Sequence, residues 1–334
     1  MRWLKKILGW LFRIGLAVVL FILLTEVAFR YYWFDFYQAE FKALNTPEQL
    51  EDRPGPTVLV GGDSFTGVQH SYVEAMREER PNARIINTGI PGTGITEAAC
   101  FLPDRIAEWQ PDVFIYQVYV GNDLLDIRHP SGSSNIGTAR AVYWWLADRL
   151  RVLRYINYKM AQFRYQFTSE VGNAESVLNE EFSVDSYSAR ERLNFAAEPE
   201  LVYNSAFLKG GREDDFEVMV AELTTVFEQL PDSCDGYVLL IPHCAQVDEV
   251  YLKRMALLGA EFPNGSEMLT TGYPLAVELK NRLEQDSVAE LLSAMQPLQG
   301  LEARGQAAYY SDDPHLHPEA HAYLGSILAW LIEE

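Results

Sequence analysis

The sequence predicts an α/β fold: a parallel sheet covered by helices on both faces. Two observations predict it. First, Thr57–Gly61, Arg84–Asn87 and Val113–Val120 are short apolar or β-branched runs that read as strands. Helical stretches from about Thr66 to Glu79, and from the glycine-rich loop 88–94 to about Trp109, separate them. Second, the alternation resumes later, with a helix at about Asp214–Gln229, a strand at Tyr237–Ile241 and a last helix starting at Pro318, a favoured first helical residue. With 334 residues and 48% hydrophobic content, the chain can build one sizeable core, or one core carrying a large insertion.

The first element is an N-terminal helix. From Ile7 to Leu24 only Arg13 is charged, and Arg2, Lys5 and Lys6 precede the run. As a helix it would be ~27 Å long, close to the thickness of a bilayer core. Trp10 near one end, and Tyr31, Tyr32 and Trp33 near the other, suit the two membrane interfaces. Arg13 can snorkel toward the basic end, and Glu26 and Arg30, four apart, can pair on one face. No small-x-small cleavage site follows in Thr25–Arg30, and no cysteine stands there for lipidation. Residues 1–33 are therefore expected to be a cytoplasmic N-terminus and an uncleaved transmembrane signal-anchor, with the remainder periplasmic or otherwise extracytoplasmic. A cleaved signal peptide and a buried soluble helix are the competing readings.

Residues 34–55 are polar, run into Arg53-Pro54-Gly55-Pro56, and read as a linker. The domain then occupies 56–334, interrupted by an insertion at about 128–212. The insertion opens with the Gly/Ser-rich stretch Ser131–Gly137. It continues with an aromatic, basic, helical segment, Ala139–Phe167, containing Trp144, Trp145, Tyr155, Tyr158, Phe163 and Tyr165. It reads either as helices packed on the domain or membrane surface, or as a lid or substrate wall.

The net charge of −20 and pI of about 4.7 would repel a phosphate backbone, so no nucleic-acid partner is expected. Cys100, Cys234 and Cys244 are an odd set without a disulfide framework, and read as small buried residues or free thiols.

Gly62-Asp63-Ser64 follows the first strand. A serine at a strand end, opening a helix beside a glycine that leaves room for a ligand, is well placed as a nucleophile, because the first helical N–H groups favour developing negative charge. The same triplet also reads as a helix cap. A nucleophilic serine needs a base, and the base needs an orienting carboxylate. Asp313 and His315, two apart on a proline-containing loop, have a spacing that lets the aspartate reach Nδ1 while Nε2 points away. The topology would carry this loop over the carboxyl ends of the strands, near Ser64. Oxyanion donors would be the N–H groups of Ser64 and Gly92 and the side-chain amide of Asn122. A metal reading competes, with Asp313, His315, His317 and His321 as ligands, but leaves Ser64, Gly92 and Asn122 unexplained. No metal or other cofactor is expected. His70 reads as solvated.

Four blocks occur in order: Gly62-Asp63-Ser64, Asn87-Thr88-Gly89-Ile90-Pro91-Gly92, Gly121-Asn122-Asp123, and Asp313-Pro314-His315 with His321 six residues on. Together they resemble the SGNH, or GDSL-type, hydrolase superfamily over about residues 56–127 and 214–334. The resemblance implies a flavodoxin-like three-layer α/β/α sandwich and ester hydrolysis through an acyl-serine intermediate. The family often spaces its aspartate and histidine three apart, with proline after the histidine; here that proline follows His317, and Pro314 stands three before it. The Asp-x-His variant is similar to membrane-anchored and polysaccharide-modifying relatives, which makes Asp313 and His315 the expected pair and His317 the alternative base. The expected function is a serine esterase that hydrolyses or transfers acyl groups, acetyl foremost, on an extracytoplasmic substrate such as a carbohydrate or polysaccharide. A lipid esterase or thioesterase, and a non-catalytic binding or assembly protein of the same fold, are the alternatives.

Overall fold

The computed structural model describes residues 2–130, 132–168 and 181–332. Ser131 and residues 169–180 of the expected insertion lie outside the described residues, as do the side chains of Arg2, Lys5, Phe163 and Tyr165.

Five strands form one parallel sheet: β1 (Thr57–Gly61), β2 (Arg84–Asn87), β3 (Val113–Tyr119), β4 (Asp235–Ile241) and β5 (Glu290–Ser293). The order β2-β1-β3-β4-β5 is flavodoxin-like, and reverses direction between β1 and β3. Every residue of β1 and β3 is buried, as expected of central parallel strands covered on both faces.

The helices, in chain order, are α1 (Arg2–Arg30), α2 (Gln38–Leu44), α3 (Pro47–Leu50), α4 (Tyr72–Glu79), α5 (Ile95–Trp109), α6 (Asp123–Ile127), α7 (Thr138–Ala147) and α8 (Arg151–Thr168). They continue as α9 (Ala189–Ala197), α10 (Leu201–Phe207), α11 (Arg212–Phe227), α12 (Glu249–Leu257), α13 (Gly265–Met268), α14 (Pro274–Gln285), α15 (Met295–Glu302) and α16 (Pro318–Leu328). Helices α5, α11 and α14 touch in a row and make one layer, while α4 and α16 pack together as the other. The α4–α16 contact is close at Gly325, where a Cβ would lie 2.4 Å from the Tyr72 carbonyl oxygen. The described part of the insertion is mostly helical, α7 to α10.

Three expectations change. Helix α4 starts at Tyr72, not near Thr66, and His70, exposed, precedes it in the left-handed region with φ of 61°. Only a single turn follows Ser64, closed by Thr66 and Gly67 N–H groups on the Asp63 carbonyl at 3.2 and 2.8 Å. The segment 34–55 is no loose linker: Tyr37 and Phe41 are buried, and Asn45 Nδ2 donates to the Asn87 carbonyl at 2.8 Å. Its aromatic residues find partners in the insertion, with Phe36 and Tyr37 ring centroids 5.4 and 5.5 Å from Tyr155. Strand β5 was not foreseen.

Helix α1 is long and apolar enough, by length and composition, to cross a membrane. Its end is fixed to the domain. Glu26 is buried and accepts the N–H groups of Arg151 and Val152 at 3.1 and 2.9 Å, which caps the N-terminus of α8. Arg30 pairs with Glu26 at 2.5 Å, as its i,i+4 spacing predicts, and donates to the Arg149 carbonyl at 2.9 Å.

Candidate active site

The turn after β1 carries Ser64. Gly62, at φ of 154°, brings the chain against β3, and a Cβ there would lie 2.5 Å from both Gln117 Oε1 and Thr66 Oγ1. The glycine thus makes room for the protein's own side chains rather than for a ligand. Asp63 then organises the turn. Its N–H donates to Gln117 Oε1 at 3.1 Å, its Oδ1 accepts the Phe65 N–H at 2.9 Å, and its Oδ2 accepts Asn122 Nδ2 at 3.3 Å. With Asp63 capping Phe65, Ser64 is left out of the capping role and its hydroxyl faces the loop before α16.

That loop is closed by an antiparallel bridge between Tyr309 and Leu316 and by the Tyr310 N–H on the His315 carbonyl at 3.1 Å. Inside it, His315 Nε2 lies 2.7 Å from Ser64 Oγ, and His315 Nδ1 is hydrogen-bonded to Asp313 Oδ1, which also accepts the His315 N–H at 2.9 Å. The Phe65 ring packs 5.0 Å from the imidazole. The Asp312 carbonyl accepts the Ser188 N–H at 3.0 Å, which ties the insertion to the loop.

The structure thus brings Ser64, His315 and Asp313 together. It keeps His317 apart: that residue precedes α16, its ring against Tyr310 at 5.5 Å. His321 also stands elsewhere, its Nδ1 accepting the Tyr72 N–H at 3.2 Å at the start of α4. The four residues of the metal reading therefore do not converge, and among the described residues no group of three or more His, Cys, Asp or Glu is spaced to hold a metal ion. The three cysteines are free, Cys100 and Cys244 buried.

Asn122 follows β3 at the point where the strand order reverses, and Gly92 follows β2. Among the described residues no acceptor takes the N–H of Ser64 or of Gly92. One Asn122 amide hydrogen is held by Asp63 Oδ2 at 3.3 Å.

Burial alone would lower the His315 pKa, but the hydrogen bond and charge of Asp313, with Asp63 and Glu191 beyond, outweigh it and leave it raised. Burial pushes Asp313 the other way, and its bonds to His315 hold it below the ordinary carboxylate range. Burial raises Asp63, which the Phe65 N–H and the His315 charge oppose. Sequence reasoning missed Glu191, on α9, which burial pushes up to about 7, with Asp313 and Asp126 adding to the rise and Arg190 and His315 opposing it. It comes from the insertion and belongs to no motif. The polar Gln117 inside an otherwise apolar strand was a signal that this strand faces a polar turn.

No protein-family model and no curated protein sequence matches the chain. Solved structures align with it at low identity. An acetyl xylan esterase matches over 82% of this chain and 98% of its own, at 10% identity and a TM-score of 0.41. An acetylxylan esterase from Geobacillus stearothermophilus, solved as a catalytic mutant, matches over 83% and 93%, at 11% and 0.41. A lipase/acylhydrolase from Enterococcus faecalis matches over 83% and 97%, at 11% and 0.39. Likeness of this degree says nothing of activity, which is argued below from the site's own geometry.

Proposed function

We propose that this protein is a membrane-anchored, extracytoplasmic serine esterase of the SGNH type, which hydrolyses or transfers acyl groups, acetyl foremost, on a carbohydrate substrate. The observation that carries the proposal is the chain Ser64 Oγ, His315 Nε2 at 2.7 Å, and Asp313 on His315 Nδ1. It is the arrangement a serine needs to lose its proton as it attacks.

In this mechanism His315 Nε2 takes the Ser64 proton while Oγ bonds to the ester carbonyl carbon. Asp313 holds the tautomer and stabilises the imidazolium. The oxyanion is received by the N–H groups of Ser64 and Gly92 and by Asn122 Nδ2, each lost donor costing about 3 kcal/mol of barrier. Collapse expels the alcohol, which takes the proton from His315. A water, or a second alcohol, then gives its proton to His315 and attacks the acyl-Ser64; the acyl–Oγ bond breaks, Ser64 Oγ takes the proton back from His315, and the acid or the transferred ester leaves. The positive-inside pattern of Arg2, Lys5 and Lys6 supports an exported domain behind α1.

Labelling with a fluorophosphonate probe tests the chemistry. Wild type should label and Ser64→Ala should not; equal labelling, or none, would remove the esterase reading. A periplasmic reporter fused after residue 334 tests the topology and should be active. A strong preference of the purified protein for long acyl chains would favour a lipid substrate over a carbohydrate.

A further inference from the structure

A cavity of about 310 Å³ lies between the insertion and the core, within the range of ligand clefts. Its wall includes Gly92, Asp126, Arg140, Tyr143, Trp144 and Arg190. Gly92 is shared with the oxyanion hole described above, and Arg190 is the neighbour of Glu191 beside the His315–Asp313 pair. The cavity therefore adjoins the place where the ester carbonyl would sit.

Its charge runs against that of the molecule. The chain carries a net −20, yet this wall holds three arginines, and one of them is committed to the fold. Arg154 pairs with Glu97 at 2.9 Å and donates to the Ala147 and Ile127 carbonyls, both at 3.0 Å. The other two differ in how far they are paired. Arg140 has no carboxylate partner among the described residues, and its guanidinium stacks over the Trp144 ring at 4.3 Å. Stacking pre-organises the fork at little further entropic cost. Arg190 pairs with Asp126 Oδ1 at 3.3 Å and also acts on the charge of Glu191, while its side chain stays more than half exposed. Asp126 is 8% exposed, and its Oδ2 is buried with no hydrogen-bond partner among the described residues. Burial raises its pKa, and the charge of Arg190 opposes that rise. Arg140, without a carboxylate, and the half-exposed Arg190 line a cleft that also offers the Tyr143 ring and the Asn157 and Asn194 amides.

We propose that this cavity binds an acidic sugar unit: the carboxylate meets Arg140 and Arg190, the hydroxyls meet the amides, and the neighbouring acylated position lies at Ser64. The proposal rests on the esterase reading for the acylated position, and stands on the cavity for the acid. An anionic lipid headgroup would satisfy the arginines, but leaves the aromatic and amide lining without a role.

Binding is measured by titration calorimetry on the full chain in detergent, carrying Ser64→Ala, with tri-galacturonate and xylotriose as probes. Tri-galacturonate should bind about tenfold tighter or better, the worth of one charge-assisted hydrogen bond. Arg140→Gln and Arg190→Gln should each weaken it about tenfold and leave xylotriose unchanged, with thermal midpoints near that of the parent chain. Arg149→Gln removes the same charge from the end of α7 outside the cavity, and should change neither probe. Equal affinities, no binding of tri-galacturonate, an equal loss in Arg149→Gln, or tighter binding of a short-chain phosphatidate would each overturn the assignment. Because binding requires no acyl transfer, fluorophosphonate labelling without tri-galacturonate binding refutes the cavity alone, and binding without labelling refutes the esterase alone.

Discussion

Ser64 Oγ and His315 Nε2 stand 2.7 Å apart although 251 residues of chain separate them. Two local devices hold that distance: the turn that Asp63 caps, and the loop that the Tyr309–Leu316 bridge closes. The close approach of α16 to α4 at Gly325 sets one against the other. His315→Ala should lower kcat on p-nitrophenyl acetate by about 10²–10⁴-fold, the worth of general base catalysis. His317→Ala should leave kcat near wild type. Equal losses in steady-state assays would move the base to His317.

The pH profile follows from the same pair. His315 must be neutral to accept a proton, and its pKa is raised above the usual 6.5. Activity should therefore rise with pH, with an apparent pKa above 6.5 in kcat/KM. Asp313→Asn removes the charge that raises it and leaves burial, which lowers it. The midpoint should move to lower pH while kcat falls. A midpoint unmoved in Asp313→Asn would separate Asp313 from the titrating group.

Asn122→Ala should lower kcat by about 10²–10³-fold with little change in KM, because its amide meets charge that exists only in the transition state. Asp63→Ala should show part of the same loss, since Asp63 Oδ2 holds that amide at 3.3 Å. A change confined to KM would place Asn122 in ground-state binding instead.

Two buried histidines predict acid lability. Burial holds His243 at about 3 and His321 at about 4, so both are neutral in the native protein. The unfolded chain takes up these protons near pH 6.5, so it binds more of them than the native state down to about pH 4 for His321 and about 3 for His243. Stability should fall as the pH drops through that window and level off beneath it. For His321 the loss is about 3 kcal/mol. Urea unfolding at a series of pH values measures it, and His321→Asn, which keeps an acceptor for the Tyr72 N–H, should flatten the curve.

The Glu26 cap can be tested alone. Glu26→Ala strips two N–H groups of their acceptor and should destabilise the start of α8 by about 0.5–2 kcal/mol. Hydrogen exchange at Arg151 and Val152 should accelerate accordingly. Unchanged exchange there would show that α8 is held by its aromatic contacts instead.

The strands that end at the site were legible because each is a short apolar run closed by a polar loop. Strand β5 was not: Glu290-Leu291-Leu292-Ser293 is short, polar at both ends and lies at the sheet edge, where only one side is covered. The helical start expected after Ser64 failed because Asp63 turns its side chain back on Phe65 and ends the turn at Gly67, leaving α4 to begin beyond His70. Ser64, Asp313 and His315 stand on two loops whose motifs mark them, so their approach in space could be anticipated. Glu191, Arg140 and Arg190 could not, because their meaning depends on where the insertion folds back. The polarity of 34–55 misled for a related reason: Tyr37 is buried and Phe36 half-buried against Tyr155, more than a hundred residues later.

The joint between α1 and α8 also sets the working range of the site. On the proposed reading, a flexible tether would let the domain sample a wide volume above a membrane anchor and search for esters by diffusion. With Glu26 and Arg30 engaged on both sides of the α8 start, that freedom is gone. The domain is held against the end of α1. On the proposed reading of an anchored esterase, substrate would have to be delivered to the cleft, and a polymer threaded past it would be modified at intervals set by the polymer's own motion.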